Sequence, residues 1–438
     1  MKLYHGDCLE ELKKLEDNSV DAVITDPPYG LSNTKPQQVA DVLKAWVTGD
    51  TVSVPAKRGG FMGKDWDSFV PPPAVWEECM RVLKPGGHMA VFAGARTQDL
   101  MGLSIRLAGF EIRDTLGWVY GSGFPKSMDI PKAIDKAVGA EGTYGAPKSA
   151  THAAHIGKSD YSTGEKNAGW ERPWMHDADA IDRSARIYEG GSENARRWAG
   201  WGTALKPAIE PIILARKPLD GTVANNVLAH GVGGLNIDAC RVGTDVTITK
   251  RPVAKSDGKV YGKFNGGEDS ENPPGRFPAN VLLDEHAAEE MDKQSVGTRA
   301  EKPSKSGNRG AKNQGATWKP FHVENEDIPA YSDSGGASRF FPVFKYQAKA
   351  PKKERPVIER EDGTKIQHNT VKPLALMEWL VSLIVPPGGV VLDPFAGSGT
   401  TLQAAINKGF APIGIEQDAD YIKLIEKRLD ATCTTHKS

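Results

Sequence analysis

Hydrophobic positions along this chain gather into short, dense groups near both ends and thin out between them. Near the start, "CLEELKKLED" repeats its apolar residues at helical spacing. "VDAVITD" follows, β-branched at most of its apolar places, and predicts a buried strand. "AVWEECMRVLKPGG" predicts a helix stopped by Pro85-Gly86-Gly87, then come a strand in "HMAVFAG", a helix in "TQDLMGLSIRLAGF" and a strand in "EIRDTLGWVYG". The other end resumes the alternation. "PLALMEWLVSLIV" is helical, "GGVVLDPFAGSGTT" passes from strand to glycine loop, "LQAAINKG" is a helix, "APIGIEQD" a strand and "ADYIKLIEKRLD" a helix. Strands alternating with helices predict an α/β fold, Rossmann-like, with a largely parallel doubly wound sheet.

The middle reads differently, being rich in Gly, Pro, Asn and charge. The expected organisation is therefore residues 1–125 as one half of a domain and 341–438 as its other half. Between them, 126–340 form a long inserted variable region from which "AIEPIILARKP", near 209–217, returns to the sheet. No internal repeat is visible.

Composition adds exclusions. Hydrophobic residues at 39% and charged residues at 25% are an ordinary globular mixture, and no apolar run reaches membrane-spanning length. The opening "MKLYHGDCLEELKKLED" lacks a signal-peptide core, so the expectation is a cytoplasmic protein with no membrane partner. Cys8, Cys79, Cys240 and Cys433 are scattered without C-x-x-C pairing, which argues for reduced structural thiols and no metal site. The net charge of −1 hides an uneven distribution. From Thr298 to Pro320 six basic residues stand against one Glu, and from Arg339 to Lys372 nine stand against four acidic ones. Within the first tract Lys302, Lys305, Arg309 and Lys312 are candidates for phosphate contact, with a solvated loop as the alternative.

Two strand ends carry chemistry. After "VDAVIT" come Asp26, Pro27, Pro28 and Tyr29. The prolines lack N–H groups and fix their own φ, so the segment is stiff and holds a carboxylate, free carbonyls and a ring in fixed relation. After "VVL" come Asp393, Pro394, Phe395, Gly397, Gly399 and Thr400, where glycines permit close backbone approach and a helix start offers unpaired N–H groups. This loop is neither G-x-G-x-x-G nor a phosphate loop with its Lys. Glu416 ends the next strand, where a carboxylate can accept from both hydroxyls of a ribose. A nucleoside without phosphates, such as S-adenosylmethionine, fits better than NAD. Both loops should open on one crevice, because ligands of open α/β sheets bind beyond the carboxyl ends of the strands.

That combination resembles the amino-type DNA methyltransferases, in which an aspartate-Pro-Pro-Tyr loop holds the target base and an F-x-G-x-G loop, here Phe395, Gly397 and Gly399, holds S-adenosylmethionine. The catalytic loop precedes the cofactor loop, as in the β group of that family. Gly6, Asp7 and Cys8 match its turn at the cofactor's adenine, and His368, Thr370, Lys372 and Pro373 match its loop at the methionine end. "GSGFPKS", "GRFPANVLL" and "ASRFFPVFKYQAKAPKKER" are similar to stretches of phage and prophage members.

The resemblance implies methyl transfer to an exocyclic amine of a base flipped out of double-stranded DNA. Target recognition would lie in the inserted region, with a homodimer and a cognate restriction endonuclease as potential partners. Aspartate at the first loop position is commoner in the adenine-N6 enzymes than in the cytosine-N4 ones, so adenine is expected. Cytosine N4, an RNA or protein-amide substrate, and a non-catalytic DNA-binding relic are the alternatives. No cysteine follows a proline, which argues against ring-carbon methylation through a covalent intermediate. Trp118, Tyr120, Trp174, Trp198 and Trp201 could stack on nucleotides but are expected in the core. Arg196 and Arg197 are weaker candidates for DNA contact, and His152, His155 and His176 have no partners at metal spacing.

Overall fold

The computed structural model describes residues 1–32, 34–55, 67–121, 123, 127–149, 177–244, 248–249, 270–271, 273–295, 335–344, 354–360, 362–368 and 370–435. The run predicted as a strand forms β2, Val20–Thr25, buried at all six positions. It lies near the middle of a nine-stranded sheet. The other strands are β1 (Lys2–His5), β3 (Leu83–Phe92), β4 (Glu111–Val119), β5 (Ile209–Arg216), β6 (Val281–Asp284), β7 (Val343–Phe344), β8 (Val390–Asp393) and β9 (Ala411–Glu416). Their order across the sheet is β1-β9-β8-β2-β3-β5-β4-β6-β7. Every neighbour pair is parallel except the two made by β5, which runs antiparallel between β3 and β4. Ile209–Arg216 is therefore a strand of this sheet. Because it is reversed, its first residues lie beside the carboxyl ends of its neighbours.

Period-two alternation sends each central strand's side chains to two separate cores. Val23, Met89, Val91, Ile213 and Ala215 point to one face. There α1 (Cys8–Leu12), α2 (Pro36–Val47), α3 (Pro73–Val82) and α4 (Gln98–Leu107) contribute Leu12, Trp46, Trp76, Cys79, Met101 and Ile105. Ala22, Ile24, Ala90, Phe92, Ile212 and Leu214 point to the other. That face is covered by the later helices Leu374–Ile384 and Thr400–Asn407, through Leu376, Met377, Leu380, Val381, Ala404 and Ala405. Each such fully buried Leu or Ile contributes about 1.5–3 kcal/mol from area removed from water. The doubly wound reading is therefore what the alternation enforces.

Two details differ from the sequence pattern. Helix α3 ends at Val82, before Pro85, and the chain enters β3 at once. Pro85-Gly86-Gly87 forms an excursion in the pairing with β2, whose register jumps from Val20↔Leu83 to Ala22↔His88. In addition, the middle of the chain supplies β6 as well as β5, so more of it joins the sheet than one returning strand. The rest of the middle that is described includes the antiparallel pair Thr143–Pro147 with Arg186–Glu189, set beside the helices Ile130–Val138 and Glu193–Arg197. Trp118 is core. Trp198 and Trp201, expected there too, are 42% and 61% exposed and pack edge to face on each other with ring centroids 4.8 Å apart. They follow a short polar helix with no apolar face to cover them. Trp174, His152, His155 and His176 lie outside the described residues.

Candidate active site

From β8 the chain crosses to β9 on one side, whereas from β2 it crosses to β3 on the other. The crevice of such a sheet opens where the connections part, at the carboxyl ends of β8 and β2. Asp393 ends β8, and Thr25 ends β2 just before Asp26. The Thr25 hydroxyl donates to Asp393 Oδ1 at 2.7 Å, tying the two strand ends together.

The Asp26–Tyr29 loop is held from several sides. The Tyr29 hydroxyl donates to Asp26 Oδ1 at 2.7 Å, and the Tyr29 carbonyl accepts from Thr97 Oγ1 at 2.6 Å. Gly30 leaves the loop at φ +64°, its N–H on Asp67 Oδ1 at 3.1 Å. A Cβ there would stand 2.7 Å from the Phe69 carbonyl carbon and the Val70 nitrogen, so only glycine fits both the dihedral and the space. Burial, then the Asp26 charge, push the Tyr29 phenol well above its ordinary pKa, which keeps it a hydrogen-bond donor.

Lys372 closes the cluster. Its ammonium lies 2.8 Å from Asp26 Oδ2, 3.3 Å from Glu210 Oε2 and 3.0 Å from the Tyr29 hydroxyl. Burial disfavours its charge, but Asp26 and Glu210 outweigh that and hold its pKa above the ordinary lysine value. The family resemblance grouped Lys372 with the cofactor's methionine end; the structure places it against the Asp-Pro-Pro-Tyr loop. Glu210 escaped the sequence reading. Its signal was a single carboxylate at the head of the apolar "IEPIILA", which gains meaning only once β5 is known to be reversed.

The glycine loop forms the other wall. Gly397 and Gly399 have φ of +55° and +77°, and Gly399 caps the helix that begins at Thr400. A Cβ on Gly397 would lie 3.0 Å from His368 Nε2. The His368 ring packs edge to face on Tyr421, its Nδ1 2.8 Å from the Thr370 carbonyl. The buried Asp393 also accepts from Phe395 N–H at 3.1 Å. Pro394 and Thr400 are buried in the turn, and Thr400 Oγ1 lies 3.3 Å from Ser398 Oγ. Glu416 Oε2 accepts from Gly397 N–H at 2.8 Å and Oε1 from Asp418 N–H at 2.9 Å. Burial pushes both the Asp393 and the Glu416 carboxyl up to about 6.

The turn at Asp7 reaches the same edge. Gly6 N–H donates to the Glu416 carbonyl at 3.0 Å, and Asp7 caps α1 by accepting from Leu9 and Glu10 N–H. Burial pushes the Cys8 thiol up to about 12, so it packs rather than reacts. Asp7, Cys8, Gly397 and Glu416 thus gather at the β9 side of the crevice, and Asp26, Tyr29, Lys372 and Glu210 at the β3 and β5 side.

Lys302, Lys305, Arg309 and Lys312 lie outside the described residues. Among the described residues no group of three or more His, Cys, Asp or Glu is placed to hold a metal, and no helix is long and apolar enough to cross a membrane. A surface cavity of about 500 Å³, lined by Met80, Pro85, Lys217 and Asp220, lies at the amino-terminal edge of the sheet, away from this chemistry.

Comparison with known proteins places the site in context. The type II methyltransferase M.HindIII of Haemophilus influenzae is 24% identical over 257 residues, covering 53% of this chain and 64% of that one. The DNA adenine methyltransferase YhdJ of Escherichia coli is 49% identical over 63 residues, 14% of this chain and 21% of that one. The matches thus span less than two thirds of these relatives' own length. Among solved structures, PvuII DNA methyltransferase (cytosine-N4-specific) aligns with 97% of this chain and 85% of its own at 12% identity and a TM-score of 0.40. A family model described as DNA methylase, for the N6 and N4 methyltransferases, matches residues 20–152 and 183–427. With most of its length covered by that model, the chain belongs to the N6/N4 DNA methylase family.

Proposed function

We propose that the chain is a site-specific DNA methyltransferase that moves a methyl group from S-adenosylmethionine to the exocyclic N6 of an adenine flipped out of the duplex. One observation carries this reading. The 2.7 Å bond from Thr25 to Asp393 joins the strand ends that carry the Asp26–Tyr29 loop and the glycine loop, which supports their serving one crevice.

The residues present fit the cofactor. Gly397 and Gly399 leave the backbone bare, and Glu416 keeps lone pairs for ribose hydroxyls beyond the two N–H groups it already holds. Asp26, Asp393 and Glu416 make the crevice acidic, which favours a sulfonium and disfavours a dinucleotide's phosphates. Asp7 and Cys8 would border the adenine, with His368 and Thr370 toward the methionine end. Bound there, S-adenosylmethionine supplies an electrophilic methyl group.

A base within the duplex keeps its amine out of reach, so flipping, at a cost of a few kcal/mol, comes first. The Tyr29 ring offers a stacking face. Asp26 and the Pro27 carbonyl accept the amine's hydrogens, drawing its lone pair out of conjugation, and fixed placement supplies much of the acceleration. The carboxylate at position 26 and the 49% identical stretch shared with a DNA adenine methyltransferase support adenine over cytosine.

Incubation of unmodified duplex DNA, RNA and protein with labelled S-adenosylmethionine tests this. Label should enter DNA, and digestion to nucleosides should yield the N6-methylated deoxyadenosine. The N4-methylated deoxycytidine alone would shift the target, and label confined to RNA or protein would overturn the substrate. Asp26→Ala should abolish transfer while calorimetry finds cofactor affinity retained.

A further inference from the structure

Each carboxylate oxygen of Asp26 already holds one donor, with a further lone pair left on each. Oδ1 holds the Tyr29 hydroxyl and Oδ2 holds the Lys372 ammonium. That ammonium also lies 5.3 and 4.8 Å from the ring centroids of Tyr29 and Phe92, at the hydroxyl end of the Tyr29 ring and beside the oxygen the amine hydrogen would approach. Lys372 is only 11% exposed on its side chain and cannot simply move out into water. A buried ammonium that left its carboxylate for no other would be strongly disfavoured. Glu210 is the other carboxylate within reach, at 3.3 Å, brought there by the reversed strand β5. Two carboxylates thus share one cation.

We propose that Lys372 and Glu210 are positioning residues for the target amine: as the base enters, Lys372 passes from Asp26 to Glu210, and the freed Asp26 oxygen receives the amine hydrogen. This rests on the reading of Asp26–Tyr29 as the target-base loop. Lys372 is paired before and after, and Asp26 gives up its cation but keeps the Tyr29 hydroxyl and gains the amine hydrogen in exchange. No covalent bond changes. While no amine is present, Lys372 is closer to Asp26 than to Glu210.

Steady-state methylation of duplex DNA by the full chain, with cofactor affinity measured by calorimetry for each variant, tests the exchange. Glu210→Gln keeps the shape and removes the receiving charge. It should lower kcat at least tenfold and leave the cofactor Kd within twofold. The double variant Glu210→Gln/Lys372→Met has nothing holding Oδ2 and should be faster than Glu210→Gln alone.

A wild-type kcat in Glu210→Gln, or a double variant no faster than the single, would overturn the exchange. So would Lys372→Met that weakens the cofactor tenfold with kcat unchanged at saturation, since Lys372 would then serve the cofactor. If Glu210→Gln does not fold, Glu210→Asp decides: retained charge should preserve most of kcat, and a tenfold loss overturns the proposal. A wild-type protein that methylates no DNA would instead remove the proposed function, and this inference with it.

Discussion

At the scale of single residues, the crevice is governed by carboxylates kept from water. Asp393 and Glu416 each have a carboxyl raised to about 6 by burial, above the ordinary 3.8 and 4.5. A carboxyl raised on folding favours the folded state while protonated. Its contribution is therefore complete below pH 4 and is lost as pH rises through about 6. The free protein should become less stable across that window on account of these two groups. Cofactor binding should run the opposite way, because ribose hydroxyls donate best to an ionised Glu416. Calorimetric titration with S-adenosylmethionine should show affinity falling as pH drops from 7 to 5, with protons released on binding near pH 6. Glu416→Gln should flatten that profile, what remains belonging to Asp393, and should weaken binding at pH 7.5 by about 1–3 kcal/mol. An unchanged profile would detach Glu416 from the ribose.

At the scale of elements, the site depends on how a strand is made to stop. β2 is buried at every position, and its loop must turn at once to present Asp26 rather than continue the strand. Pro27 and Pro28 prevent continuation, and Gly30 makes the exit. Gly30→Ala forces a side chain into positive φ and against the Phe69–Val70 backbone, so the loop must shift. Such strain costs on the order of 1–3 kcal/mol. Thermal unfolding should register that loss, and kcat should fall at least tenfold, while the cofactor Kd holds because the glycine loop belongs to another strand. A fully active Gly30→Ala protein would show that the loop tolerates movement.

This loop and the glycine loop were legible from sequence because both are local: a β-branched run, then residues that forbid its continuation. The placement of Lys372 and Glu210 was not. Lys372 sits in a motif-like stretch far from Asp26 in the chain, and Glu210 faces the crevice only because β5 is antiparallel, which no periodicity encodes. Trp198 and Trp201 were misread for a related reason. Aromatic identity predicts burial on average, but exposure is decided by whether an apolar face lies opposite.

At the scale of the whole molecule, a net charge of −1 must be reconciled with the polyanionic substrate proposed for it. The acidic crevice around Asp26, Asp393 and Glu416 cannot attract DNA, so the attraction must come from basic surface elsewhere. The sequence concentrates that charge in residues 298–320 and 339–372. Each phosphate neutralised releases condensed counterions, and log K falls with log salt by about 0.9 for every contact on duplex DNA. Replacing Lys302, Lys305, Arg309 and Lys312 by Gln should therefore make the slope shallower by as much as about 3.6 if all four meet phosphates. Affinity should drop most at low salt. Cofactor affinity and kcat at saturating DNA should stay as they were, because none of the four belongs to either loop of the crevice. Binding measured by anisotropy between 50 and 300 mM salt decides the matter: an unchanged slope would make this tract a solvated loop and assign phosphate contact to the basic run before the helix at Leu374.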